Sequence, residues 1–179
     1  MADDITDHQL VARVAAKDRC AMETLYRRHF DGLTAFVLSR CGDRAIAADV
    51  MQETMMAVWR KADGFAGKSS VKTWIYAIAR FKTVDRLRAA GRLRPGGDIP
   101  ETADDAPGPE AAAIASGDAR KLRDCLSRLD EKRRSVIRLA FYEDLSYDDI
   151  SEIEGIPPGT VKSRIFHAKR LLMLCLGGA

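Results

Sequence analysis

Lys162, Ser163, Phe166, His167 and Arg170 recur at helical spacing. An ammonium, a hydroxyl, a flat ring, an imidazole and a guanidinium together suit one class of ligand. Donors and apolar rings of this kind read base edges, while the cations hold phosphates. From Gly155 to Ala179 there is no Asp or Glu, whereas Lys162, Arg164, Lys169 and Arg170 are all positive. The chemistry implied is noncovalent recognition of a nucleic acid. No P-loop, G-x-S-x-G, H-E-x-x-H or metal-spaced cluster occurs, so the expectation is a non-enzyme with no cofactor and no metal.

The elements that would position these side chains are legible just upstream. Ser146 and Asp149 form a capping box, and Leu145 with Ile150 a hydrophobic staple. Ile150 and Ile153 give that short helix a buried side, and Gly155 is placed to end it in a left-handed cap. Pro157 and Pro158 restart the chain, since proline is tolerated in a helix's first turn. Val161, Ile165, Ala168 and Leu172 then form one apolar stripe, opposite the polar set. Two helices joined by a tight turn, the second basic outside, predict a helix-turn-helix whose outward residues enter the major groove.

Charge is segregated along the 179 residues despite a net charge of only +3. Residues 66–94 carry Lys68, Lys72, Arg80, Lys82, Arg86, Arg88, Arg92 and Arg94 against the single Asp85. Residues 95–117 carry five acidic side chains and no basic one. Such asymmetry points to localised contact with a polyanion. The acidic start of the chain lacks an apolar core, so it is not a secretory signal, and no stretch approaches the roughly 20 apolar residues of a membrane span. The expected location is the cytoplasm. Cys20, Cys41, Cys125 and Cys175 are scattered without a C-x-x-C. They read as ordinary thiols, mostly core filler, rather than zinc ligands or a disulfide framework.

Pro95 to Pro109 holds four prolines and three glycines in fifteen residues and cannot sustain a helix. It divides the chain into a domain at 1–94, a linker at 95–117 and a second domain at 118–179. No alternating run is long enough for a sheet, so the fold expected is all-α: two helical domains on a Pro/Gly/acidic linker. Helices are predicted from about Ala21 to Arg40, Ala45 to Lys61, Ser70 onward, Asp118 to Leu129 and Glu131 to Glu143. On the second, Met51, Met55, Val58, Trp59 and Ala62 form an apolar arc with Asp49, Glu53 and Arg60 opposite. Leu126, Leu129, Val136, Ile137, Ala140 and Phe141 are the expected C-terminal core.

Four stretches in order carry a family resemblance. They are Glu23 to His29, Asp49 to Ala62, Ser70 to Arg80 with Asp85-Arg-Leu-Arg88, and Leu145 through Gly159-Thr-Val-Lys-Ser-Arg164 to Leu172. Together they resemble the bacterial extracytoplasmic-function sigma factors of the sigma-70 family. The resemblance implies a sigma factor without catalysis of its own, docking on core RNA polymerase at the clamp of the largest subunit and the flap of the second-largest. Its N-terminal domain would read and open the −10 element, and its C-terminal domain would read the −35 element. It further implies an anti-sigma factor, gripped between domains that the linker lets clamp, and release under stress.

The positions matching the polymerase-facing helix are Asp49, Gln52, Glu53 and Thr54, with Met56 and Arg60 close by. Those matching the promoter-melting segment are Phe65, Lys68, Ser69, Lys72, Thr73, Tyr76, Arg80, Lys82, Arg86 and Arg88. Opening a strand needs somewhere better for an unstacked base to sit, which Phe65, Tyr76 and the Lys68-Ser69-Ser70 loop would provide. Trp74 is expected in the core. The −35 readers match Gly159, Thr160, Lys162, Ser163, Phe166 and His167, with Arg134 and Arg170 as phosphate clamps. Thr160 suits a phosphate at the helix start, Lys162 a guanine and Phe166 a thymine methyl. Two departures alter the expected base preferences: Phe81 stands where relatives often carry Asn, and His167 where many carry Arg. An alternative from the same residues is a stand-alone helix-turn-helix regulator, which would footprint duplex DNA without polymerase.

Overall fold

Six of the helices begin where a short polar side chain caps them, and the computed structural model describes residues 5–92 and 117–177. The linker prolines and Arg94 lie outside the described residues. Thr6 and Gln9 form a capping box opening α1 (Asp7–Ala15), which buries Leu10, Val11 and Val14. This helix is absent from the sequence-based expectation, although Thr6-x-x-Gln9 before an apolar pair is its signature. Asp18 caps α2 (Arg19–Cys41), accepting from the Cys20 and Ala21 amides, and Asp43 caps α3 (Arg44–Lys61) in the same way. A 3-10 turn, Ala62–Gly64, leads to Ser70, which caps α4 (Val71–Ala89).

These four helices close one core around Leu25, Leu33, Phe36, Val37, Val50, Val58, Val71 and Ile75. The C-terminal unit comprises α5 (Gly117–Ser127), α6 (Glu131–Phe141), α7 (Tyr147–Glu154) and α8 (Pro158–Leu176). Here α8 packs against α5, α6 and α7, burying Val136, Leu139, Ile150, Ile153, Val161, Ile165 and Ala168. Phe141, expected in this core, is exposed instead, with the Lys169 ammonium 4.8 Å from its ring centroid. It is the last residue of α6, where α8 offers it the Lys169 side chain rather than an apolar one. Among the described residues there is no strand.

The two units are docked. Helix α4 lies against α7, and α2 against α6, so their buried residues form a single cluster.

Asp7 pins α1 to α2, accepting from Arg28 Nη1 at 2.9 Å and lying 2.6 Å from His29 Nε2. Burial pushes its carboxyl up, but the Arg28 and His29 contacts outweigh that and hold it below the ordinary 3.8. A carboxyl lowered by folding stabilises fully above its unfolded value and loses that contribution as pH falls through its folded value. Asp7→Asn is therefore expected to flatten the drop in urea midpoint that the parent shows below about pH 4. Parallel acid limbs for the two proteins would refute the role of this cluster.

Candidate nucleic-acid and protein interfaces

The predicted turn forms as the local chemistry requires. Ser146 and Asp149 complete the capping box, Gly155 takes φ 63° to end α7, and Pro158 is the first residue of α8. An L-residue with a Cβ would be strained at that φ, so the sharp reversal needs glycine. Lys162, Ser163, Phe166, His167, Lys169 and Arg170 all remain exposed on α8. Phe166 is 63 % exposed and packs edge-on to His167, with ring centroids 5.5 Å apart. Gly159 is open and Thr160 is half-buried in the first turn, where the positive end of the helix dipole favours an anion. Ser163 donates back to the Thr160 carbonyl at 3.0 Å. One expected phosphate clamp is corrected: Arg134 is buried close to Glu131, because its position on α6 faces inward.

The residues expected to meet the −10 strand, on α4 and in the loop before it, fall into three groups. Lys72 Nζ bonds Glu143, at 2.7 Å to both Oε2 and the backbone carbonyl, and Ser69 Oγ donates to Glu152 at 3.0 Å. Thr73 Oγ1 donates to Asp149 at 2.7 Å, and Arg80 Nε lies 3.6 Å from Glu154. Tyr76 is fully buried, its ring 5.1 Å from Phe36, and burial together with the neighbouring Glu143 carboxylate pushes its phenol pKa up. These five were expected to meet a DNA strand, yet the C-terminal unit covers them here. Lys82 and Arg86 form the second group, pairing with Asp49 and Glu53 of α3 at 2.6–3.5 Å. Phe65 is half-buried against Trp74, with centroids 4.9 Å apart, while Lys68 and Arg88 are exposed.

The expected polymerase-facing residues divide as well. Thr54 is corrected: it is fully buried and donates to the Val50 carbonyl at 2.7 Å, because its position on α3 falls on the inner arc. Asp49 and Glu53 face α4, and Arg60 is exposed with Nε 3.2 Å from the Met56 carbonyl. Gln52 and Met56 turn the other way, into an apolar groove of about 980 Å³ between α2 and α3. The α2 wall is Met22, Tyr26, Phe30, Thr34 and Leu38, a strict i+4 ladder behind the buried face. That ladder was visible in the sequence as a second apolar stripe on a helix already supplied with one.

Two features were not anticipated. Arg40 is 1 % exposed and donates to Ser135 and Glu154, with Glu131 at 3.4 Å and the Phe36 ring centroid 4.4 Å from its guanidinium. All its polar partners belong to the other unit. The expectation of four ordinary thiols is corrected: Cys125 and Cys175 form a disulfide, leaving Cys20 exposed and Cys41 buried. Packing α5 on the end of α8 brings together two cysteines 50 residues apart. Among the described residues no group of His, Cys, Asp and Glu is arranged to hold a metal, and no helix is long and apolar enough to cross a membrane.

Comparison with known proteins gives concordant matches. Residues 25–93 match the family model for sigma-70 region 2, and residues 119–172 the model for sigma-70 region 4. The chain is 36 % identical over 182 residues to the ECF RNA polymerase sigma-E factor of Haemophilus influenzae, covering 96 % of each chain. It is 32 % identical to the RNA polymerase sigma-H factor of Pseudomonas aeruginosa, covering 93 % of this chain and 91 % of that one. Among solved structures it is similar to the sigma factor RpoE of Bartonella quintana, crystallised with the anti-sigma factor NepR. That match has a TM-score of 0.66 and 28 % identity, and covers 86 % of this chain and 95 % of the other.

Proposed function

The chain belongs to the extracytoplasmic-function (ECF) RNA polymerase sigma factors, and from that premise we propose how its own surfaces divide the work of promoter-specific initiation. The observation carrying the reading is the solvent-open basic face of α8, joined in one chain to a second helical unit that bears an apolar groove. The α8 face reads the −35 duplex: Lys162 and His167 donate to base edges, Phe166 packs on a thymine methyl, and Arg170 holds a phosphate. The α4 face and the Phe65–Lys68 loop take the unstacked −10 strand, with Lys72, Arg80 and Arg88 on its phosphates. Gln52, Met56 and the α2 ladder receive an amphipathic helical element of core polymerase, seated by its apolar side chains.

The protein supplies binding and strand-opening energy and no catalysis, and it works in the cytoplasm beside the polymerase. An anti-sigma factor is its antagonist, by analogy with the RpoE–NepR pair. Run-off transcription with purified core polymerase tests the core of this reading. A promoter-specific transcript is expected with polymerase, and no appreciable footprint by the chain alone. A footprint equally strong without polymerase would favour the stand-alone regulator instead. Met56, 48 % exposed in the groove, supplies the sharper variant. Met56→Asp places a charge where apolar contact is needed and should weaken polymerase binding about tenfold while leaving the fold intact. Unchanged affinity would remove the groove from the polymerase interface.

A further inference from the structure

Phe81, on α4, is 60 % exposed, although the helix has an apolar core side that could have taken it. The sides of α4 can be assigned residue by residue. Ile75, Tyr76, Ala79, Thr83 and Leu87 are buried. Lys72, Thr73 and Arg80 meet the C-terminal unit, and Lys82 and Arg86 pair with α3. On the side away from these lies a strip made of Trp74, Ile78, Phe81, Asp85 and Arg88, at the alternating four- and three-residue spacing of one helical face.

The strip continues beyond the start of the helix. Phe65, in the loop before α4, packs on Trp74 with ring centroids 4.9 Å apart, and the His8 ring of α1 lies 5.6 Å from Phe65. Phe81 follows Trp74 after two turns, about 10.5 Å further along the axis. Exposed cations accompany these rings, Lys68 in the loop and Arg88 two turns beyond Phe81.

We propose that Phe81 is a base-stacking residue for the unpaired −10 strand, and that it makes recognition at its position indifferent to base identity. This rests on the reading of α4 and its loop as the strand-binding face. Tyr76, which the sequence offers as a second ring beside Phe65, is fully buried, so an unstacked base must find its second ring elsewhere. Phe81 supplies one on the same helix, in solvent. A phenyl ring has no hydrogen-bonding group and every base has a π-face, so stacking carries affinity without readout. The occupant is a single-stranded nucleic acid rather than a protein helix, because the charge fits a polyanion: residues 66–94 hold eight cations against Asp85 alone. Asp85 sits on the strip between Phe81 and Arg88 and repels phosphate. The strand therefore turns its bases toward Phe81 and runs its backbone beside Lys68 and Arg88.

The test compares holoenzymes assembled from core polymerase and each variant. The probe is a fork-junction DNA, its −10 nontemplate strand unpaired, taken from a promoter mapped by run-off transcription. Failure of that mapping is failure of the sigma reading, and is seen before any variant is made. Phe81→Ala should weaken fork binding about tenfold, with affinity for core polymerase and the thermal melt of the chain unchanged. Phe81→Trp should bind at least as tightly as the parent, which a merely structural phenyl would not predict. An abasic nucleotide walked along the unpaired strand locates the contact. At one position it should weaken the parent about tenfold and Phe81→Ala hardly at all. There the four bases should differ by less than about threefold for the parent, whereas Phe81→Asn, which supplies an amide, should spread them about tenfold.

Fork binding unchanged in Phe81→Ala overturns the assignment. So does a loss of polymerase affinity in its place, which would give the strip to a protein partner. Identical abasic profiles for parent and Phe81→Ala overturn the stacking. A parent preference of about tenfold at the coupled position overturns the indifference to base identity.

Discussion

Arg40→Ala is expected to split one unfolding transition into two. In the docked protein the guanidinium serves Ser135, Glu131 and Glu154 at once, and lies over the Phe36 ring. Burial already pushes the Glu131 carboxyl up, with Arg40 as the leading opposing influence. Removing the cation leaves two buried carboxylates without it, a change that costs about 3–5 kcal/mol in buried clusters. The chain has a cheaper route than unfolding, which is to let water reach those groups by undocking. Each unit keeps its own apolar core, so neither need melt when they part. Both tryptophans, Trp59 and Trp74, sit in the N-terminal unit. Tryptophan fluorescence thus reports that unit alone, while far-UV circular dichroism reports both. Coincident traces are expected for the parent and separated ones for the variant. If the variant's traces still coincide and its stability falls by less than about 1 kcal/mol, the buried cluster is not what joins the units.

The second large effect concerns the disulfide. Cys125 on α5 and Cys175 near the end of α8 close a 50-residue loop that contains the whole helix-turn-helix. Constraining an unfolded loop of this length stabilises by about 4 kcal/mol in the chain-entropy account. Reduction, or the Cys125→Ser/Cys175→Ser variant, should lower the stability of the C-terminal unit by that amount. Circular dichroism should show the C-terminal unit melting first, with the tryptophan fluorescence transition lagging behind it. A thiol titration of the native oxidised chain should find Cys20 reacting fast and Cys41 protected, since burial pushes the Cys41 thiol up. Identical melting with and without dithiothreitol would show that the bond contributes nothing.

The helix-turn-helix could be read before any coordinates because each of its determinants acts within about four residues. Ser146 reaches Asp149, Leu145 and Ile150 stand at staple spacing and are both buried, and Gly155 needs only its own φ. The stripe Val161–Ile165–Ala168 and the exposure of Lys162, Phe166 and His167 follow from helical periodicity alone. The capping of α2, α3 and α4 is equally local. Thr54 failed for a related reason: helical geometry puts it on the buried arc beside Val50 and Val58, a placement that the family motif alone does not reveal.

Other features depend on how far apart interacting residues are along the chain. Arg40 meets Ser135 and Glu154 across 95 and 114 residues, and Cys125 meets Cys175 across 50. No local pattern marks an arginine as buried, because its burial is a property of the surface that arrives to cover it. The same holds for α4: its composition announces a polyanion, and only packing reveals that the chain's own carboxylates reach it first. Residue order thus specifies which helices form and which of their sides are apolar, basic or acidic, since these depend on short-range bonding and periodicity. Which acidic side meets which basic one depends on how the units dock, and there the balance of desolvation against charge pairing is settled across whole domains.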